Sequence, residues 1–158
     1  MISFRPYCPE DLPEVLALFY RAVHTIPKND YTPAQLDAWA PYPPDADTWG
    51  RSLAQHYTQV AVENGKILGF SDLEEPDYLD RLYVLPEALH LGIARELTAR
   101  MEKRAQHLGA TQITVHASKT ALGFFLHQGY QIVQEQTVQR HGIILTNYAM
   151  KKDFLSSV

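Results

Sequence analysis

The chain has 158 residues, enough for one domain with a buried core. Its 46% hydrophobic and 20% charged content is that of a folded protein, and a net charge of -4 argues against a nucleic-acid binder, which usually carries a basic patch. Cys8 is alone, which excludes an internal disulfide, and no His/Cys cluster has zinc spacing. No secretory leader and no apolar run of about 18 residues is present, so the expectation is a cytoplasmic protein without metal, membrane or nucleic-acid partner.

Ile2 and Phe4 alternate with polar residues as a short strand does. From Pro9 the apolar positions Leu12, Val15, Leu16, Phe19, Ala22, Val23 and Ile26 take helical spacing, with Glu10, Asp11 and Glu14 at the N-terminal end favoured by the helix dipole. Residues 27–50 are rich in proline and aromatics; Thr32 and Pro33 read as the N-cap and first residue of a short helix over Leu36 and Trp39. The remainder of that stretch has no regular period. Trp39, Tyr42 and Trp49 there are either a small core under an irregular segment or the wall of a substrate pocket.

QVAVEN and GKILGFSDLEE read as strands joined at Asn64-Gly65, a strong hairpin signal, and YLDRLYV completes an antiparallel meander. LYVLPEALHLGIAREL then runs from a strand through a proline and a Gly-x-Ala directly into a helix that lasts to Gly109. Such a junction leaves backbone N–H groups unpaired and pointing one way, which suits an anion. QITVHAS is a strand, ALGFFLHQ a short helix closed by Gly129, and YQIVQEQTVQ and IILTNYAM are strands around Arg140-His141-Gly142. With no repeat or linker, residues 1–158 read as a single domain.

That order of elements, with Val84-Leu85-Pro86-Glu87-Ala88-Leu89-His90-Leu91-Gly92-Ile93-Ala94 and Ala121-Leu122-Gly123-Phe124-Phe125-Leu126-His127-Gln128-Gly129-Tyr130, resembles the GCN5-related N-acetyltransferases (GNAT). The resemblance spans essentially the whole chain. TPAQLDAWAP and LTNYAMKK are similar to a bacterial subgroup of acetyltransferases. It implies an α+β fold: a mixed, mostly antiparallel seven-stranded sheet flanked by about four helices and splayed between the fourth and fifth strands. It also implies an acetyl-CoA-dependent N-acetyltransferase acting on an amine, here expected to be a small molecule, and it leaves room for a homodimer. The alternative is an acetyl-CoA-binding sensor without turnover.

By the resemblance, the pyrophosphate sits on the amides of Leu91, Gly92, Ile93, Ala94 and Arg95, and the pantetheine arm pairs with Leu82, Tyr83 and Val84. Phe124 and Phe125 complete the cofactor wall. Leu89 replaces the family's Gln/Arg, Ser118 its Asn, and Phe125 the Tyr that protonates the departing thiolate in many members, so the thiolate either leaves unaided and more slowly or takes a proton from Tyr130, Tyr148 or Tyr83. For the base, strand alternation sets Asp80 on one face with Leu82 and Val84, and His116 is the candidate imidazole. Asp72, Glu74 and Glu75 are rivals. His24 either looks into the acceptor pocket or complements the dipole of the first helix; with Tyr31, Trp39 and Tyr42 it makes the candidate acceptor wall. His56, His107, His127 and His141 are assigned to surface helices and turns.

Overall fold

The computed structural model describes residues 1–155. Its elements are β1 (Ser3–Pro6), α1 (Leu12–His24), α2 (Pro33–Trp39), α3 (Ala46–Gln55), β2 (Tyr57–Glu63), β3 (Lys66–Glu74), β4 (Tyr78–Val84), α4 (Ile93–His107), β5 (Gln112–Ser118), α5 (Leu122–His127), β6 (Gln131–Arg140) and β7 (Ile143–Asp153). The strands form one sheet in the order β1-β2-β3-β4-β5-β7-β6. Every pair is antiparallel except β4 with β5, which the crossover helix α4 joins.

Local chemistry accounts for most boundaries. Asn64 and Gly65 both take positive φ, +52° and +77°, as a tight hairpin between β2 and β3 requires. Thr32 caps α2: its side chain accepts from the Gln35 N–H at 3.2 Å while the Gln35 side chain accepts from the Thr32 N–H at 2.8 Å. Helix α3 begins inside the stretch expected to be irregular, runs five residues past its end, and makes the α-helix count five among the described residues. Its start is set by Asp45, whose carboxylate accepts from the Thr48 N–H at 3.1 Å.

Strands β4 and β5 pair only at Tyr78 with Thr114 and Leu79 with Val115, then part. The core divides along the same line. One buried cluster, including Val15, Phe19, Leu53, Phe70 and Leu97, lies under the first half of the sheet. The other, including Leu79, Met101, Ile113, Phe125 and Met150, lies under the second. Leu82 packs against both. Gly69 on β3 seats α4 close to the sheet, because a Cβ there would stand 2.9 Å from Ile93 Cγ2. Burying side chains of this size contributes about 1.5–3 kcal/mol each, so the two clusters hold the splayed strands without ladder bonds between them. No helix among the described residues is long and apolar enough to cross a membrane.

Candidate active site

The β4–α4 junction builds the first part of the site from backbone. After a 3-10 turn at Pro86–Ala88, His90 (φ +66°) and Gly92 (φ +83°) take the left-handed region and reverse the chain into α4. The amides of His90, Leu91, Gly92, Ile93, Ala94 and Arg95 meet no acceptor among the described residues, and the first bond of the helix runs from the Glu96 N–H to the Gly92 carbonyl at 3.0 Å. An added Cβ at Gly92 would meet no atom within 4 Å, so handedness rather than crowding selects glycine. Leu89 and Leu91 leave their apolar side chains half exposed beside these amides.

A groove of about 520 Å³ extends from this loop. One wall is Leu82, Tyr83 and Val84, whose edge is unpaired beyond Leu79, and another is Ala121 and Phe124. The third wall is the end of α1 and the turn after it, Ala22, Thr25, Ile26 and Pro27, which no sequence signal marked. Phe125 does not line this groove. It is 2% exposed, packed edge-on against Phe124 and Tyr130, and backs the gap between β4 and β5 instead.

A second cavity, about 330 Å³, is walled by the aromatic residues Phe19, Tyr31, Trp39, Trp49, Tyr78 and Tyr83 together with Asp80, Arg81, His116 and Asn147. A slot of about 60 Å³ between the parted strands joins it to the groove, and Trp39, Tyr83 and Ser118 border all three spaces. Trp39 Nε1 donates to the Tyr83 hydroxyl at 3.2 Å, which leaves the phenolic proton free to point elsewhere. Burial pushes the Tyr83 pKa well up, so it keeps that proton. Tyr31 is fixed by donating to the Thr146 carbonyl at 2.7 Å and accepting from the Lys119 N–H at 2.9 Å.

Asp80 reaches this cavity by a route that alternation does not predict. Asp72 on β3 pairs with Arg81 and the next residue, Leu73, pairs with Leu79, so Asp80 is the extra residue of a β-bulge. The bulge breaks the alternation, and Asp80, Arg81 and Tyr83 all border the same chamber. The Asp80 carboxyl is pushed up from the usual carboxylate range, first by burial and then by the charge of Asp72. His116 lines the chamber and the slot, edge-on to Tyr78 at 5.3 Å. Burial and the nearby Asp80 raise Tyr78 to about 12.

Behind Asp80 stands a group of charges that the sequence reading left out. Asp72 is fully buried; it accepts from Arg81 Nε at 3.1 Å and lies 2.8 Å from His56 Nδ1. His56 is therefore not a free surface residue. Asp72, once a rival base, is spent in this network and does not line the chamber. Glu74 and Glu75 are exposed. His56, Glu74 and Asp80 each bring one potential ligand atom to within 4.8 Å of the others, and His56 and Asp80 are also an ion pair at 3.8 Å.

Three expectations need correction. His24 is bonded through Nε2 to the Ala40 carbonyl at 2.8 Å and stacks on Tyr20, so it ties α1 to the end of α2 and lines neither cavity. Tyr42 is 81% exposed, outside the chamber, because the residues after α2 turn outward. Tyr130 is 2% exposed and its hydroxyl donates to Glu102 Oε2 at 2.8 Å, while Lys152 donates to Glu102 Oε1 at 3.1 Å. That makes Tyr130 a packing residue far from a proton-donor role. Tyr148 lines no cavity either.

Residues 27–152 match the family model for the acetyltransferase (GNAT) domain. The chain belongs to the GNAT acetyltransferase family. It is 35% identical over 150 residues, 95% of each chain, to the uncharacterized N-acetyltransferase YafP of Escherichia coli strain K12. A GCN5-related N-acetyltransferase (aminotransferase, class-II) from Rhodopseudomonas palustris superposes with a TM-score of 0.93 at 34% identity, over 96% of this chain and 95% of that one. The PaiA N-acetyltransferase from Thermoplasma acidophilum, solved in complex with coenzyme A, shares the fold with a TM-score of 0.79 at 16% identity, over 98% and 99%. The splay between β4 and β5 in this GNAT domain is the architecture expected from the motifs.

Proposed function

We propose that this protein transfers an acetyl group from acetyl-CoA to the amine of a small molecule. The observation that carries the reading is the slot: the parted strands join a groove with unpaired amides to an aromatic chamber holding a carboxylate. The residues fit the cosubstrate. Six aligned amides at a helix N-terminus suit a pyrophosphate without help from the Leu89 side chain. The open edge of β4 at Leu82–Val84 offers backbone groups to an extended amide-bearing arm, and the apolar groove suits its alkyl parts. His90 and Arg95 line the same groove as candidate charge partners, whereas Lys119 Nζ lies over the Tyr31 ring. When bound, acetyl-CoA supplies the acyl group as a thioester.

The chain's own part is proton handling and orientation. The acceptor amine approaches from the chamber, its nitrogen bonds to the acyl carbon, and the carbon–sulfur bond breaks. Asp80 takes the proton that the nitrogen gives up, directly or through a water, and its raised pKa brings it nearer a working base. His116 across the slot orients the amine. Tyr83 replaces the hydroxyl missing at Phe125 as the best placed of the three tyrosines: it keeps its proton and donates a hydrogen bond to the sulfur, which leaves as a thiolate. A chamber of about 330 Å³ walled by rings favours a compact acceptor with an apolar or cationic body.

Thiol release from acetyl-CoA against small amines, amino acids, polyamines, arylamines and lysine peptides tests the reading. Release is expected with at least one compact amine and at a lower rate with the peptides. Acetyl-CoA binding without release from any of them would favour the sensor, for which Phe125 and Leu89 speak.

A further inference from the structure

Helix α3 presents Trp49 and Ser52 on one side, three residues apart, and His56 follows as its C-cap in extended backbone. All three meet the bulge of β4. Trp49 lies 4.4 Å beneath the Arg81 guanidinium, Ser52 accepts from Arg81, and His56 Nδ1 stands 2.8 Å from Asp72 and 3.8 Å from Asp80 Oδ2. Asp72 is fully buried, while His56 and Arg81 keep only 14% and 12% of their side chains exposed. Two carboxylates thus share one guanidinium and one imidazole, and only Asp80 of the four also borders both the chamber and the slot without being tied by a short ion pair.

We propose that His56, anchored on Asp72, is a positioning residue whose charge fixes the ionisation of Asp80. The inference rests on the reading of Asp80 as base. Asp72 fixes the ring by accepting from Nδ1–H, so the second nitrogen is the one that gains or loses a proton. The hydrogen bond to Asp72 is the main reason the His56 pKa lies above its ordinary value. The imidazolium then joins Arg81, the stronger of the two cations, in favouring the Asp80 carboxylate, against the burial and the Asp72 charge that push it toward the neutral acid. The other charged or titratable groups facing Asp80 are Arg81 and Tyr78 on β4, Glu74 on β3, His116 on β5 and Arg140 at the end of β6. Arg81 is anchored on the same Asp72 and stands 3.6 Å from Asp80, but its charge is permanent, so His56 is the neighbouring cation whose charge can be lost.

The sign of the effect follows. Removing the cation beside Asp80 raises its pKa, so activity that depends on the carboxylate is lost at a higher pH on acidification. His56→Gln keeps a side-chain amide for Asp72 but no charge. It is expected to move the acid limb of kcat/KM upward by about one pH unit, as expected for losing an opposite charge at this range, with acetyl-CoA affinity unchanged. Asp80→Asn is expected to abolish that limb and lower kcat about 100-fold or more. A ring titration of His56 followed by NMR needs no acceptor: its midpoint is expected to fall in Asp80→Asn, where one of its two carboxylates is gone. An unmoved limb in His56→Gln, with the limb still abolished in Asp80→Asn, would overturn the role of His56 and leave Asp80 as base. An unmoved His56 midpoint in Asp80→Asn would overturn the coupling itself. Unchanged turnover in Asp80→Asn would overturn the base reading, and this inference with it.

Discussion

The groove and the chamber lie on either side of one slot, yet they are made of different material. The groove is backbone work: the amides of His90–Arg95 and the open edge of Leu82–Val84, set by one proline, one glycine and a helix start. The chamber is side-chain work, drawn from α1, α2, α3, β4, β5, β6 and β7, with its carboxylate turned inward by a bulge. The difference teaches where each can change. A backbone cradle tolerates Leu89 in place of a polar residue, because no side chain of that position is needed. A side-chain chamber can be re-specified by single substitutions without moving the cradle.

Several substitutions would break or sharpen that division. The largest effect is expected from Asp80→Asn: a fall in kcat of about 100-fold or more with acetyl-CoA affinity within about twofold of wild type, read by thiol release beside calorimetry. A parallel loss of affinity would mean the two regions are not separable. Gly92→Trp is its mirror image. The φ of +83° is unfavourable for any side chain and the indole would project from the groove wall, so acetyl-CoA affinity should fall at least about tenfold while far-ultraviolet dichroism stays native. Wild-type affinity in that variant would put the cradle elsewhere.

The two tyrosines make a finer comparison. Tyr83→Phe should lower kcat by about tenfold with little change in melting temperature, as expected for removing a hydrogen bond to a charged leaving group. Tyr130→Phe should do the reverse, leaving kcat unchanged and costing about 1 kcal/mol through the lost hydrogen bond to Glu102. The smallest effect concerns neither region. Arg5 beside Asp11, at 2.8 Å, lowers that carboxyl to about 2. The pair therefore stabilises the fold above the ordinary carboxylate range and stops doing so as pH falls toward 2. Arg5 is well exposed and screened, so Asp11→Asn should cost at most about 1 kcal/mol at neutral pH. The difference in thermal stability from wild type should close on acidification.

The same division explains what the sequence disclosed. The Asn64-Gly65 hairpin, the Thr32 cap and the β4–α4 junction are local statements, each written in a few adjacent residues, and the structure carries all three. The splay followed from the family motifs. Helix α3 stayed hidden because Pro43, Pro44 and Gly50 lie before or within it and its few apolar residues make no long period. Its cap at Asp45 with Thr48 was the available signal. With α3 unseen, His56 and Ser52 had no reason to meet Arg81. Period-2 alternation set Asp80 on one face with Leu82 and Val84, but a bulge is invisible to a rule that assumes none, so the shared side of Asp80 and Arg81 was missed. His24 and Tyr42 failed for another reason: proximity in sequence to Trp39 does not fix which way a loop turns.

The most direct test of the division is a titration of the isotopically labelled protein with acetyl-CoA, followed by backbone amide shifts. The account predicts the largest changes at His90–Arg95 and Leu82–Val84, with Trp49, Asn147 and the His56–Asp72 network nearly still until an acceptor amine is added. Large changes centred on the aromatic chamber, with the His90–Arg95 amides unmoved, would contradict it.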